Sequence, residues 1–73
     1  MSDLKIFLGA RIRELRKQRG YTQAELGEQC GMKASYIGGA ERGSLNISLD
    51  SLERIIRALD VSIEQFSRLT RQA

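Results

Sequence analysis

Histidine is absent from this chain, and cysteine occurs once, at Cys30. Without imidazole, and with no carboxylate pair or cysteine cluster at metal-ligand spacing, the usual apparatus of acid–base, nucleophilic and metal catalysis is missing. The chain therefore reads as neither an enzyme nor a metalloprotein. A lone cysteine excludes an internal disulfide, and at a helix end facing the core it reads as a buried filler rather than a redox sensor. The sequence also lacks a long apolar run, a strand-like alternation, a repeat and a low-complexity segment. Its N-terminus has no charged region followed by an apolar stretch and a cleavage site, so the expected location is the cytoplasm and no membrane partner is expected. No ligand domain fits in this length, and neither a cofactor nor a small-molecule ligand is expected.

What is present is 73 residues, enough for one domain (1–73) with a small core whose stability is modest or helped by association. A formal charge of +3 and a pI near 9.5 favour an anionic partner without being extreme. The apolar positions follow helical spacing throughout, and an all-α, compact five-helix bundle is expected.

The first helix, over residues 3 to 19, carries a stripe at Leu4, Leu8, Ile12 and Leu15 with Phe7 alongside; Ser2 or Asp3 caps its start and Gly20 ends it. Arg11, Arg13, Arg16, Lys17 and Arg19 crowd its second half and, Arg16 apart, read as a solvated face in preference to DNA contacts. Thr22 then opens a second helix as a capping box with Glu25, Tyr21 and Leu26 forming the staple; this helix runs to about Cys30 and stops at Gly31. A third begins near Lys33, runs to Glu41 or Arg42, and is closed by Gly43. Two short helices joined by a tight glycine-containing turn, over about 22–43, make a helix-turn-helix, the unit whose second helix can lie in a DNA major groove. Ser48 caps a fourth helix with apolar residues at Leu49, Leu52, Ile55, Ile56 and Leu59, Ile47 and Leu52 repeating the staple. Ser62 and Gln65 box a short last helix over about 62–69, with Val61 and Phe66 as its staple.

At Thr22-Gln23-x-x-Leu26, Gly31, Tyr36-Ile37, Glu41-Arg42-Gly43, Ser48-Leu49-x-x-Leu52 and Ala58-Leu59-x-Val61 the chain resembles the lambda-repressor-like helix-turn-helix regulators (XRE type). The stretch YIGGAERGSLNISLDSL is most similar to the small controller proteins of restriction-modification systems. The resemblance covers residues 12 to 66. It implies a pairing of Arg16 with Glu41 that ties the first helix to the end of the third, in keeping with the need of a helix-end carboxylate for a compensating cation. It also implies that Gln23, at the start of the second helix, bridges to a backbone phosphate with help from Thr22. That suits the partial positive charge and free N–H groups of a helix N-terminus; the plainer alternative is a polar residue following a cap.

Base reading falls to the first turn of the third helix, at Lys33, Ala34, Ser35 and Tyr36. Lysine can donate to guanine O6 and N7, alanine can touch a thymine methyl, and serine can donate or accept; none is a bidentate Arg or Gln reader. By position in the family, Tyr36 lies against phosphate and sugar, Gly39 permits close approach, and Arg42 with Ser44 and Asn46 holds phosphates. Gly38 and Gly39 read equally well as a small-residue packing site. Ile63, Phe66 and Leu69, with Leu45, are the candidates for a homodimer interface. Phe66 is turned inward as the staple, leaving Ile63 and Leu69 for an exposed patch. The expected function is a sequence-specific regulator bound as a homodimer to a pseudo-palindromic double-stranded operator, blocking or recruiting RNA polymerase. The rival is a protein-interaction module such as an antitoxin.

Overall fold

Hydroxyl side chains set where the helices begin. A computed structural model describes residues 2–68 and contains helices α1 (Asp3–Gln18), α2 (Gln23–Cys30), α3 (Ala34–Glu41), α4 (Leu49–Ala58) and α5 (Ile63–Ser67). Ser2, Thr22, Ser48 and Ser62 each accept a hydrogen bond from a backbone N–H three residues on, and the Thr22 and Ser62 boxes are closed by Glu25 and Gln65. α3 differs: Lys33 holds its cap position without any side-chain bond, so its first N–H groups stay open. Gly31 ends α2 at φ +73°, a left-handed conformation that a side chain would strain.

The core forms where the stripes converge. Ile12 and Leu15 of α1 meet Leu26 and Cys30 of α2, Ile37 and Ala40 of α3, Ile55 and Leu59 at the end of α4, and Phe66 of α5, all nearly inaccessible. α1 and α3 cross at Gly9, where a Cβ would fall 2.3 Å from the Ala40 carbonyl oxygen and 2.6 Å from that of Glu41. Only glycine allows that approach.

Three sequence expectations are corrected here. Leu4 and Leu49, placed in the apolar stripes, are 64% and 83% exposed. Each lies in the first turn of its helix, beyond the part its neighbours cover; burial is complete only from Ile12 in α1 and from Ile55 in α4. Arg11, assigned to a solvated face, is buried: its Nε donates to the Phe66 carbonyl at 2.7 Å and its Nη2 to the Gln65 carbonyl. The guanidinium thereby caps the C-terminal carbonyls of α5 and holds that short helix to α1. The third correction is the last helix, which ends at Ser67 rather than residue 69; Leu69 lies outside the described residues.

Candidate nucleic-acid interface

The junction of α1, α2 and α3 is built around one carboxylate. Glu41, at the end of α3, accepts from Arg16 Nε at 2.5 Å and from its Nη2 at 3.1 Å. The two side chains are only 2% and 9% exposed. The third guanidinium nitrogen, Nη1, donates to the Tyr21 carbonyl at 2.8 Å, so the ion pair also fixes the chain where it enters α2. Gln23 joins from the first position of α2, its Nε2 donating to Glu41 Oε1 at 3.1 Å. An amide nitrogen has two hydrogens, and one of them is left for an acceptor outside the protein. Nothing in the sequence signalled that Gln23 is tied inward as well as available outward.

Gly38 makes room for this arrangement. A Cβ at that position would lie 3.3 Å from both Gln23 Oε1 and Arg42 Nη1, so the α2 glutamine and the α3 arginine come together over a side-chain-free spot. Thr22 is exposed, but its N–H is taken by the Glu25 carboxylate at 2.8 Å; only its hydroxyl hydrogen is left to donate. Lys33 and Ser35 are exposed and Ala34 and Tyr36 half-buried on the first turn of α3. Together with Gly31, Met32 and Leu45, Lys33, Ser35 and Tyr36 line a shallow hollow. Arg42, Ser44 and Asn46 are exposed at the far end of α3 and in the following loop, where the Ser44 hydroxyl donates to the Gly39 carbonyl at 3.0 Å.

Gly39 takes the packing role that was one of its two readings, and Leu45 is the residue packed on it. Gly39 is buried, with Leu45 Cγ and Cδ1 each 3.0 Å from where its Cβ would be. It serves side-chain packing, and the surface above it belongs to Leu45. Leu45, named for the dimer interface, therefore lies over α3. Phe66 is 3% exposed in the single chain and is committed to the core as the staple with Val61, which removes it from any exposed patch. Ile63 is 72% exposed. It lines an apolar groove between α4 and α5 with Leu49, Leu52, Ile56 and Val61, rimmed by Asp50, Glu53 and Arg57.

Two arginines that hold helix ends escaped the sequence reading. Arg11 stands three residues after Leu8 and four before Leu15, inside the apolar stripe, and that register was the available signal of its burial. Arg54 of α4 donates through Nη2 to the Cys30 carbonyl at 2.5 Å and so closes the C-terminus of α2. The Cys30 thiol beside it is pushed above its ordinary pKa by burial, the positive charge of Arg54 acting in the opposite direction. No cluster of residues that could hold a metal ion exists among the described residues, and no helix there is long and apolar enough to cross a membrane.

Comparison with known proteins places this geometry in context. A family model described as helix-turn-helix matches residues 12–66. A Neisseria meningitidis protein described as a hypothetical transcription factor is 36% identical over 63 residues, covering 86% of this chain and 59% of that protein. The chain spans about half the length of further curated relatives, among them the regulator SinR of Bacillus subtilis, 40% identical over 57 residues that make up 77% of this chain. Control protein C.MunI of a Mycoplasma species is 31% identical over 74 residues, 99% of this chain and 100% of that protein. Among solved structures, the controller protein C.Esp1396I, a tetramer in complex with its natural 35 base-pair operator, superposes with a TM-score of 0.85 at 35% identity, over 90% of this chain and 87% of that one.

Proposed function

Since the chain belongs to the helix-turn-helix family of transcriptional regulators, we propose that it is a sequence-specific double-stranded DNA-binding regulator of the restriction-modification controller kind. It works in the cytoplasm, without cofactor and without enzymatic activity. The observation that carries this reading is the surface formed by the starts of α2 and α3. There the uncapped first turn of α3 leaves Lys33 and Ser35 exposed, and farther along α3 Gln23 meets Arg42 over Gly38, in a fold that superposes on a controller protein solved with its operator. Free N–H groups and cations suit phosphate, and exposed side chains on the first turn suit base edges. In this scheme Gln23, Arg42, the Thr22 hydroxyl, Tyr36 and the loop at Ser44 and Asn46 position the protein on the backbone. Lys33, Ala34 and Ser35 read bases.

The regulator acts as a homodimer. Leu49 and Ile63, 83% and 72% exposed, flank the apolar groove between α4 and α5, and a self-complementary patch of this kind makes a two-fold pair. Two-fold pairing brings two α3 helices to half-sites about 10 bp apart on a pseudo-palindrome, and the bound dimer blocks or recruits RNA polymerase.

Titration of the protein against DNA from its own promoter, over a range of salt, tests the function. Affinity falls with salt at a slope of about −0.9 per phosphate contacted. Gln23→Ala weakens binding to all sequences alike, whereas Lys33→Ala or Ser35→Ala loses discrimination at single base pairs, by about 1 to 3 kcal/mol where a contact is well made. Binding to duplex DNA that ignores salt would instead favour a protein-interaction module.

A further inference from the structure

The reading face of α3 is short of side chains. Its first turn offers no arginine, glutamine or asparagine, only Lys33, Ala34 and Ser35, and its second turn has Gly38 and Gly39. Gly39 stands four residues after Ser35 and so shares its side of the helix. The space beside Gly39 is nonetheless filled: Leu45 Cγ and Cδ1 lie 3.0 Å from the position its Cβ would take.

The loop is built to put Leu45 there. Gly43 turns the chain out of α3 at φ +74°, and Ser44 then donates twice to the Gly39 carbonyl, from its N–H at 3.1 Å and from its hydroxyl at 3.0 Å. Leu45 follows at once, half-buried, and its remaining surface borders the hollow formed with Met32, Lys33, Ser35 and Tyr36. None of these residues lines the α4–α5 groove, so the hollow is a separate surface.

We propose that Leu45 is a specificity-determining residue that contacts the 5-methyl group of a thymine in the major groove from the α3–α4 loop, across the gap left by Gly39. The inference rests on the DNA-binding reading above. The 5-methyl of thymine is the one apolar group that base edges present in the major groove, and an apolar side chain beside it is the matching contact. The rim supports the same occupant: the Lys33 ammonium is exposed beside the hollow and suits the acceptors on a neighbouring base edge.

The test uses wild-type protein and a duplex it selects from a random pool, resynthesised with thymines replaced one at a time by deoxyuridine, which deletes only the methyl group. One thymine in each half-site becomes sensitive, its replacement weakening binding about fourfold, the worth of one methyl-sized group removed from water. Leu45→Ala, checked for folding by circular dichroism, abolishes the sensitivity at that thymine, whereas Leu45→Met keeps it. Two results overturn the proposal: no thymine sensitive with wild-type protein, or sensitivity that survives Leu45→Ala in a folded variant. Selection of a duplex that is then indifferent to its methyl groups defeats this inference alone; failure to select or bind any duplex defeats the functional reading with it.

Discussion

Removing the Glu41 charge while keeping its shape is the sharpest probe of how this fold is held. In Glu41→Gln the Arg16 guanidinium stays where it is, 9% exposed, and loses its negative partner; one amide oxygen and the Tyr21 carbonyl are left as neutral acceptors, and the new NH2 faces a guanidinium N–H. A buried charge stripped of its partner costs about 3 to 5 kcal/mol. At roughly 0.05 to 0.15 kcal/mol per residue, 73 residues give about 4 to 11 kcal/mol in total, so one amide for one carboxylate removes about a quarter or more of the stability. With about 4 to 8 °C lost per kcal/mol in a domain of this size, the melting temperature falls by at least about 12 °C. Arg16→Met does comparable damage by leaving Glu41 with Gln23 alone. The double variant Arg16→Met/Glu41→Gln leaves no unpaired charge and recovers much of the loss, because a buried pair replaced whole is close to neutral. Urea denaturation of the four proteins, followed by circular dichroism, measures the coupling. Single variants within about 0.5 kcal/mol of wild type, or a double variant equal to the sum of the singles, would refute the reasoning.

Three further outcomes follow from neighbouring geometry. Gly9→Ala gains about 1 kcal/mol of helix propensity but drives a Cβ into the backbone of Ala40 and Glu41, and overpacking of that kind costs about 1 to 3 kcal/mol; a raised melting temperature would show that α1 and α3 separate easily. Arg11→Met releases the Phe66 and Gln65 carbonyls, lowers stability by about 2 to 4 kcal/mol and exposes the chain at Arg68 to trypsin, so an unchanged cleavage rate there would mean that α5 is held by Phe66 alone. Cys30 titrates higher in the folded chain because it is buried, which favours the neutral thiol. The stability this contributes is complete below the unfolded thiol's range and declines as pH rises through about 8.5 toward the folded value. Cys30→Ala should therefore flatten the fall in stability between pH 7 and 9.5, and an identical slope in both proteins would place the thiol in water.

The sequence alone determined what is local. Helix starts at Ser2, Thr22, Ser48 and Ser62, the stop at Gly31 and the helix-turn-helix over 22–43 depend on groups three or four residues apart, and their partners are within reach before any tertiary contact forms. The family's residue pattern added the opposition of Arg16 to Glu41, which no periodicity reveals because 25 residues separate them. Tertiary structure decided the rest, because helical spacing says which side of a helix is apolar but not how far along its length the neighbours reach. That is why Leu4 and Leu49 stand in water although they keep the apolar spacing, and why the Arg11 guanidinium, in the same stripe, is covered by the carbonyls of α5. It is also why Gln23 donates to Glu41 across the junction of α2 and α3, and why a leucine from the loop occupies the face that Gly39 leaves empty. Those arrangements depend on where separate helices meet, and the distance between meeting points is a property of the packed chain.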